Sequence, residues 1–536
     1  MENRLLVMPQ PEKYSAFVRE ATGFVKQITP LDAVLAVFAA VNIPLGLLTY
    51  TSGPYLFPGS DLVWGTILTT ILSIPLAVMY TLYGRAMPRS GGDYVFVSRA
   101  LHPVLGFVEN FGLIFWSLFF IGFAANFVTT LALSPSLLII GVVTSNPGLV
   151  NLGNTLSQPL NVVIIGLVLI VIFTLVMIQG VRSTFIIVDV LMVLVFIGVF
   201  LSFGLLMTSS NANFAASFGR YAQYDTILSA AHIAGYSPIS SNSLLATLGI
   251  MPLVYLTTGF ANTTTYYGGE VRAVKSAMFY SQLLVTILSG AILTVFAFFA
   301  VRVFGYDFLG CMSYLQANGS SVYPFTVPPS VNLFLSMLTD NQALLWLLAA
   351  SFVAALLAPI LPVLMAVSRS IFAWSFDRII PTKFANVSER FHTPVFAILA
   401  MNSIWAVTLV IYTYGPPFFI TLLAGATLAE NISLIIIAVT AMVCPFRTQL
   451  FRQSEENLKV FRIPIMSIAG TLSLGFLVLL TYFLLVNPLY GANNVTVYAG
   501  TIAVFAIAVV IYAVSYYSRK SAGINLSLAF KELPPE

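Results

Sequence analysis

Long uninterrupted apolar runs constrain this chain more than any other feature. Twelve stretches of about twenty or more mostly apolar residues follow one another near 31–50, 62–87, 105–133, 160–181, 184–208, 244–270, 276–304, 342–368, 394–414, 417–443, 464–486 and 496–517. Crossing ~30 Å of hydrocarbon takes ~20 residues of α-helix at ~1.5 Å per residue, and only helices or closed barrels satisfy their backbone there. Barrel strands alternate in segments of ~10 residues, so the runs predict an all-α polytopic membrane protein of twelve transmembrane helices, spans 1 to 12. Composition agrees, since 8% of the 536 residues are charged and 59% apolar, against about 25% and 45–50% in a soluble domain. That balance excludes a soluble globule, a disordered chain and a nucleic-acid binder with broad basic faces.

Charge sets the orientation. With the N-terminus cytoplasmic, 21 of the 23 Lys and Arg fall on the inner side, and only Arg220 and Arg302 fall on or near the outer one. The positive-inside rule therefore predicts both termini in the cytoplasm of a multi-pass cell-membrane protein. The expected organisation is a cytoplasmic segment 1–30, a first five-helix repeat 31–208, an outer loop 209–243, a second, inverted repeat 244–443, an inner loop 444–463, spans 11 and 12 over 464–517, and a tail 518–536. The first thirty residues carry charge and prolines and lack the apolar core of a cleaved signal peptide. Cys311 and Cys444 fall in loops on opposite faces and form no disulfide framework. Three scattered histidines share no metal-binding spacing, so neither metal nor cofactor is expected. The sequons at Asn318 and Asn494 fall outside.

Two spans are interrupted. Span 1 reads Asn42-Ile43-Pro44-Leu45-Gly46 at mid-membrane, and span 6 carries a polar, glycine-containing stretch from Tyr255 to Thr265. Proline removes one backbone bond and clashes with the preceding turn, freeing carbonyls that lipid cannot satisfy. The two broken spans are five helices apart, and an odd number of crossings inverts the second set of five relative to the first. Matched interruptions of this kind mark the substrate site of inverted-repeat transporters, where half-helix N-termini attract a carboxylate and unwound carbonyls a cation.

Two loops resemble those of a known family. Pro88-Arg89-Ser90-Gly91-Gly92-Asp93-Tyr94 after span 2 resembles the P-[KR]-S-G-G-x-Y loop of the amino acid/polyamine/organocation transporter superfamily. Ser368-Arg369 through Ala373, Asp377, Arg378 and Pro381, with Thr393-Pro394, resembles its loop between helices 8 and 9. Gly259-Phe260 followed by Glu270 is similar to its helix 6 pattern, with Ala261 departing from a glutamate and Glu270 one residue late. The likeness covers about residues 25 to 445. It implies a 5+5 inverted repeat of the leucine-transporter type plus two further helices, moving amino acids or related amines by alternating access, with no covalent chemistry. It also implies substrate contacts at Asn42, Ile43, Pro44, Leu45, Gly46, Thr258, Gly259, Phe260, Ala261 and Asn262, with Phe260 or Tyr255 as an aromatic gate.

Ionisable groups within a membrane are costly and functional by default. Glu430, at the middle of span 10 with no Lys or Arg nearby in sequence, is the first proton-coupling candidate. Asp189, seven residues from Arg182, and Glu109, just inside span 3, are further candidates, although pairing with loop arginines would explain both. Glu270, beside Arg272 and Lys275, reads as interfacial. Span 8 reads Phe352-Val353-Ala354-Ala355-Leu356-Leu357-Ala358-Pro359, without the hydroxyls that sodium-coupled relatives of the fold place there. The expected function is thus secondary active transport of amino acids or amines, with proton symport ahead of substrate exchange and of a transporter-like sensor. The expected partners are the small substrate, protons and lipid, with no nucleic acid. An enzyme or a channel would need a metal cluster, a nucleophile–base pair or a pore motif, and the sequence shows none. Substrate side chain and oligomeric state are not legible.

Overall fold

The structure, a computed structural model, describes residues 23–530 apart from 241, 417, 525 and 527–529. Arg4, Lys13, Arg19 and Lys531, which entered the charge count, lie outside the described residues. Among the described residues, ten helices are long and apolar enough to cross a membrane: Leu62–Ala86, Pro103–Val143, Pro159–Gln179, Val181–Thr208, Val274–Phe304, Gln342–Phe376, Val395–Tyr414, Ala424–Arg447, Ile465–Val486 and Val495–Ser521. They correspond to spans 2 to 5 and 7 to 12. A pair bent by 50°, Pro30–Gly46 and Thr49–Leu56, makes an eleventh as span 1. At span 6 the helix Ser243–Thr258 is apolar but short, and it gives way to a tight 3₁₀ segment, Gly259–Tyr266.

Helix starts follow the local chemistry. Span 1 opens with Pro30 at its first position and a capping box in which Thr29 Oγ1 accepts from Asp32 N at 3.2 Å and Asp32 accepts from Thr29 N at 2.8 Å. Asp61, Asn341 and Asn494 cap spans 2, 8 and 12 through their side-chain oxygens. The second sequon, at Asn494, is therefore also a helix cap, while Asn318 is exposed just past the helix Tyr306–Ala317.

Span 3 runs ten residues beyond its expected end, because a wide π-turn at Val128–Leu133 absorbs Pro135 without ending the helix. A second π-turn, Phe279–Leu284, lies in span 7. Span 8 is also interrupted: helix Gln342–Leu357 stops, and Ile360–Phe376 begins after Pro359. The loop 209–243 is not bare, since it carries the helices Asn211–Phe218 and Tyr224–Ile233. The connection between spans 7 and 8 likewise holds Tyr306–Ala317 and Val331–Ser336. A short hairpin, Lys459–Val460 with Ile463–Pro464, joins spans 10 and 11.

Spans 2 and 7 pack on each other, as do spans 4 and 9, and the interrupted parts of spans 1 and 6 meet each other. Span 3 packs on span 10, and span 8 packs on span 5. Both cysteines are free and buried in helices rather than loops. One of the three scattered histidines has potential ligands beside it in space. His232 on Tyr224–Ile233 lies beside Asp307 and Cys311 on Tyr306–Ala317, their ligand atoms all within 4.8 Å of one another. Linear spacing could not show this, because span 6 and span 7 separate the two helices in the chain.

Candidate functional site

Asn42 ends the first half of span 1 in the left-handed region, at φ 52° and ψ 64°, a conformation asparagine tolerates better than most residues. Its Oδ1 accepts from Leu45 N at 3.2 Å, capping the next short helix, Ile43–Gly46. Its Nδ2 donates to Ala355 O in span 8 at 2.8 Å. That carbonyl is the one whose helical donor would have been the N–H of residue 359, and Pro359 has none. One buried amide therefore closes the break in span 1 and supplies the donor missing from span 8. The two interruptions are one structure.

The break of span 6 lies against this. A Cβ on Gly46 would meet Thr257 Cγ2 at 2.9 Å and Leu293 Cδ2 at 3.1 Å, so only glycine lets the two spans approach here. Tyr255 is buried, with its ring edge-on to Phe476 of span 11 at 5.5 Å, and its ring lies where a Cβ on Gly259 would be. Thr258 is buried with its hydroxyl unpartnered. Asn262 donates to the Tyr80 hydroxyl at 3.4 Å. The side chains of Phe260 and Ala261 lie outside the described residues. A cavity of about 20 Å³, room for one water, borders Pro44 and Leu47 in the second half of span 1 together with Ser202, Phe296, Ser351 and Phe352. It touches none of the expected span 6 residues.

Below the breaks lies a set of carboxyl groups. Asp93 is fully buried and accepts hydrogen bonds from Tyr80, at 3.2 Å, and from Tyr266. Glu109 is also fully buried, within electrostatic reach of Asp93, and both of its carboxyl oxygens are unpartnered. The expected pairing of Glu109 with loop arginines is thus not found, because those arginines are engaged elsewhere. Glu430, half-buried on span 10, lies within electrostatic reach of Tyr255 and Asp93. Asp189 stands apart from this set, next to Asp32, which Arg182 pairs with at 3.0 Å. Asp93 was absent from the sequence candidates. Its hydrogen-bond donors are two tyrosines.

The two loop motifs interlock at the basic end of the bundle. Arg99 of the first donates to Asp377 of the second at 2.6 Å, and Tyr94 donates to the same oxygen at 2.6 Å. Arg369 grips Glu270 in a fork, Nε to Oε1 at 2.7 Å and Nη2 to Oε2 at 2.9 Å, with both side chains at most 1% exposed. Glu270 is therefore not interfacial: Arg272 bonds Lys26 O and Lys275 pairs with Glu455, leaving the distant Arg369 as its partner. The adjacent glycines explain themselves by close approach. Gly91, at φ 107°, bonds Tyr266 O at 2.9 Å, and a Cβ there would meet Ala373 Cβ at 2.6 Å; Gly92, at φ 47°, lies against the Tyr266 ring.

Ten or eleven membrane-length helices, a polar centre at two helix breaks and a charged lock at one end define a polytopic membrane transporter rather than an enzyme. The chain matches the amino acid permease family over residues 31–518. It belongs to that family, within the amino acid/polyamine/organocation superfamily, and its substrate class is accordingly amino acids. No curated protein matches it.

Proposed function

We propose that this permease is a proton-coupled amino-acid symporter of twelve spans in a 5+5 inverted repeat, with its basic end in the cytoplasm. The carrying observation is that Glu430 lies within electrostatic reach both of Tyr255 at the span 6 break and of Asp93. Three carboxyl groups in one low-dielectric region, surrounded by tyrosines, do not all ionise together, so the set holds protons that a substrate or a gradient can move. The packing supports the repeat. Under an inverted two-fold, spans 1, 2 and 4 face their own counterparts 6, 7 and 9, and the contact of span 3 with span 10 is echoed by that of span 8 with span 5. The twelfth span is the short helix Ser243–Thr258 completed by its 3₁₀ continuation, and the broken spans 1 and 6 bring the α-carboxylate and α-amino group of the substrate to residues 42–46 and 258–262. Asp189, next to the Asp32–Arg182 pair, acts on the inner opening rather than on the proton.

A sodium site at span 8 is disfavoured by the same geometry, because the Ala355 carbonyl already accepts from Asn42. The test is uptake of labelled amino acids into proteoliposomes in sodium-free buffer, with and without an inward proton gradient. Gradient-driven accumulation that Glu430→Gln abolishes, while exchange of pre-loaded substrate persists, is expected. Uptake that needs internal substrate and ignores the gradient would establish an exchanger instead.

A further inference from the structure

We propose that the helices Tyr224–Ile233 and Tyr306–Ala317 form a binding site for a zinc-class transition-metal ion, with His232 Nε2, Asp307 Oδ1 and Cys311 Sγ as ligands. Asp307 and Cys311 are four residues apart and so share one helix face, and His232 reaches them from the other helix. The three atoms form a triangle with sides of 3.0 Å for His232–Asp307, 3.5 Å for Cys311–Asp307 and 3.9 Å for Cys311–His232. Around a tetrahedral zinc, ligand bonds of about 2.0–2.3 Å place such donors roughly 3.3–3.7 Å apart. The Cys311–Asp307 side already lies in that window, and the other two reach it by shifts of about 0.3 Å or less.

The donor chemistry narrows the ion. One thiolate and one imidazole favour zinc, cobalt or copper over magnesium or calcium, which take oxygen ligands. Cys311 is fully buried beneath, whereas the side chains of His232 and Asp307 are 40% and 34% exposed, so the fourth position opens to water. Burial and the Asp307 carboxylate push the Cys311 thiol up; metal binding therefore releases the thiol proton to solvent as the metal–sulfur bond forms. The His232 ring is held nearly parallel to that of Tyr236, 13° and 6.2 Å between centroids. Tyr236 in turn donates to Pro54 O at 3.2 Å, and Ser313 donates to Thr51 O at 2.7 Å. An ion here staples Tyr224–Ile233 to Tyr306–Ala317, the helix that packs on the outer half of span 1. None of this depends on which ion drives transport.

The experiment is titration of the purified full-length protein with Co²⁺, read by thiolate-to-cobalt charge-transfer absorption, followed by displacement with Zn²⁺. One saturable site per chain is expected, lost in Cys311→Ser and in His232→Ala and retained in Cys444→Ser. Zn²⁺ should also raise the melting temperature of the wild type and leave that of Asp307→Asn unchanged. Amino-acid uptake by each variant confirms that it is folded. No saturable band in the wild type, or a band that survives Cys311→Ser, overturns the assignment.

Discussion

Replacing Asn42 by alanine has three effects at once. The Ala355 carbonyl loses its donor, the Leu45 N–H keeps only the backbone carbonyl of residue 42 as acceptor, and a residue poorly suited to φ 52° takes the left-handed position. Leaving a buried carbonyl unpaired costs about 1–3 kcal/mol, and the left-handed backbone adds roughly 1–2 kcal/mol for alanine. Only the first of these depends on Pro359. In a Pro359→Ala background, the new N–H at position 359 donates to Ala355 O within span 8, and Asn42 is no longer needed there. The cost of Asn42→Ala should therefore fall by about 1–3 kcal/mol when Pro359→Ala is present. The assay is equilibrium unfolding of the four proteins of this cycle in mixed micelles, with uptake as a check of folding. Additivity within ~0.5 kcal/mol would refute the reasoning, because it would mean that the amide and the proline act independently.

Three further outcomes follow from the same geometry. Glu270→Gln leaves the Arg369 guanidinium buried without its counter-charge and should destabilise the protein by about 3–5 kcal/mol, with Glu270→Gln/Arg369→Met less damaged than the single variant; thermal melting in detergent reads both, and an unmoved melting temperature contradicts the pairing. Gly46→Ala drives a methyl into Thr257 and Leu293, an overpacking of about 1–3 kcal/mol, so uptake should fall and Thr257→Ser, which removes the nearest methyl, should restore part of it. Glu430→Gln should flatten the dependence of uptake on external pH, and a pH profile identical to wild type removes this carboxyl from the coupling.

The spans were legible because burial in lipid demands apolar side chains all round each helix, and hydropathy records that directly. The break of span 1 was legible because Pro44 and Asn42 stand in an otherwise apolar run. The break of span 8 was not, although Pro359 is in plain view in the sequence. Apolar residues surround it on both sides, and nothing local indicates that its orphaned carbonyl is met by an amide 313 positions away. The π-turns in spans 3 and 7 were hidden for a related reason, since a bulge leaves hydropathy untouched.

Charge partners show the opposite failure. Sequence proximity offered Arg272 and Lys275 to Glu270 and loop arginines to Glu109, and both offers were wrong. A cation two to five residues away at a membrane surface finds water or an exposed acid at little cost, as Lys275 does with Glu455. A buried carboxylate has no such freedom and takes whichever guanidinium the fold buries beside it, here Arg369 from the distant loop motif. The two loop motifs, with the helix that follows the first, thus meet each other: Tyr94 and Arg99 with Asp377, and Gly91 against Ala373. What the letters marked as two separate loops is a single contact surface at the basic end, and Asp93, the one acid in those motifs facing tyrosines instead of arginine, ties that surface to the helix breaks above it.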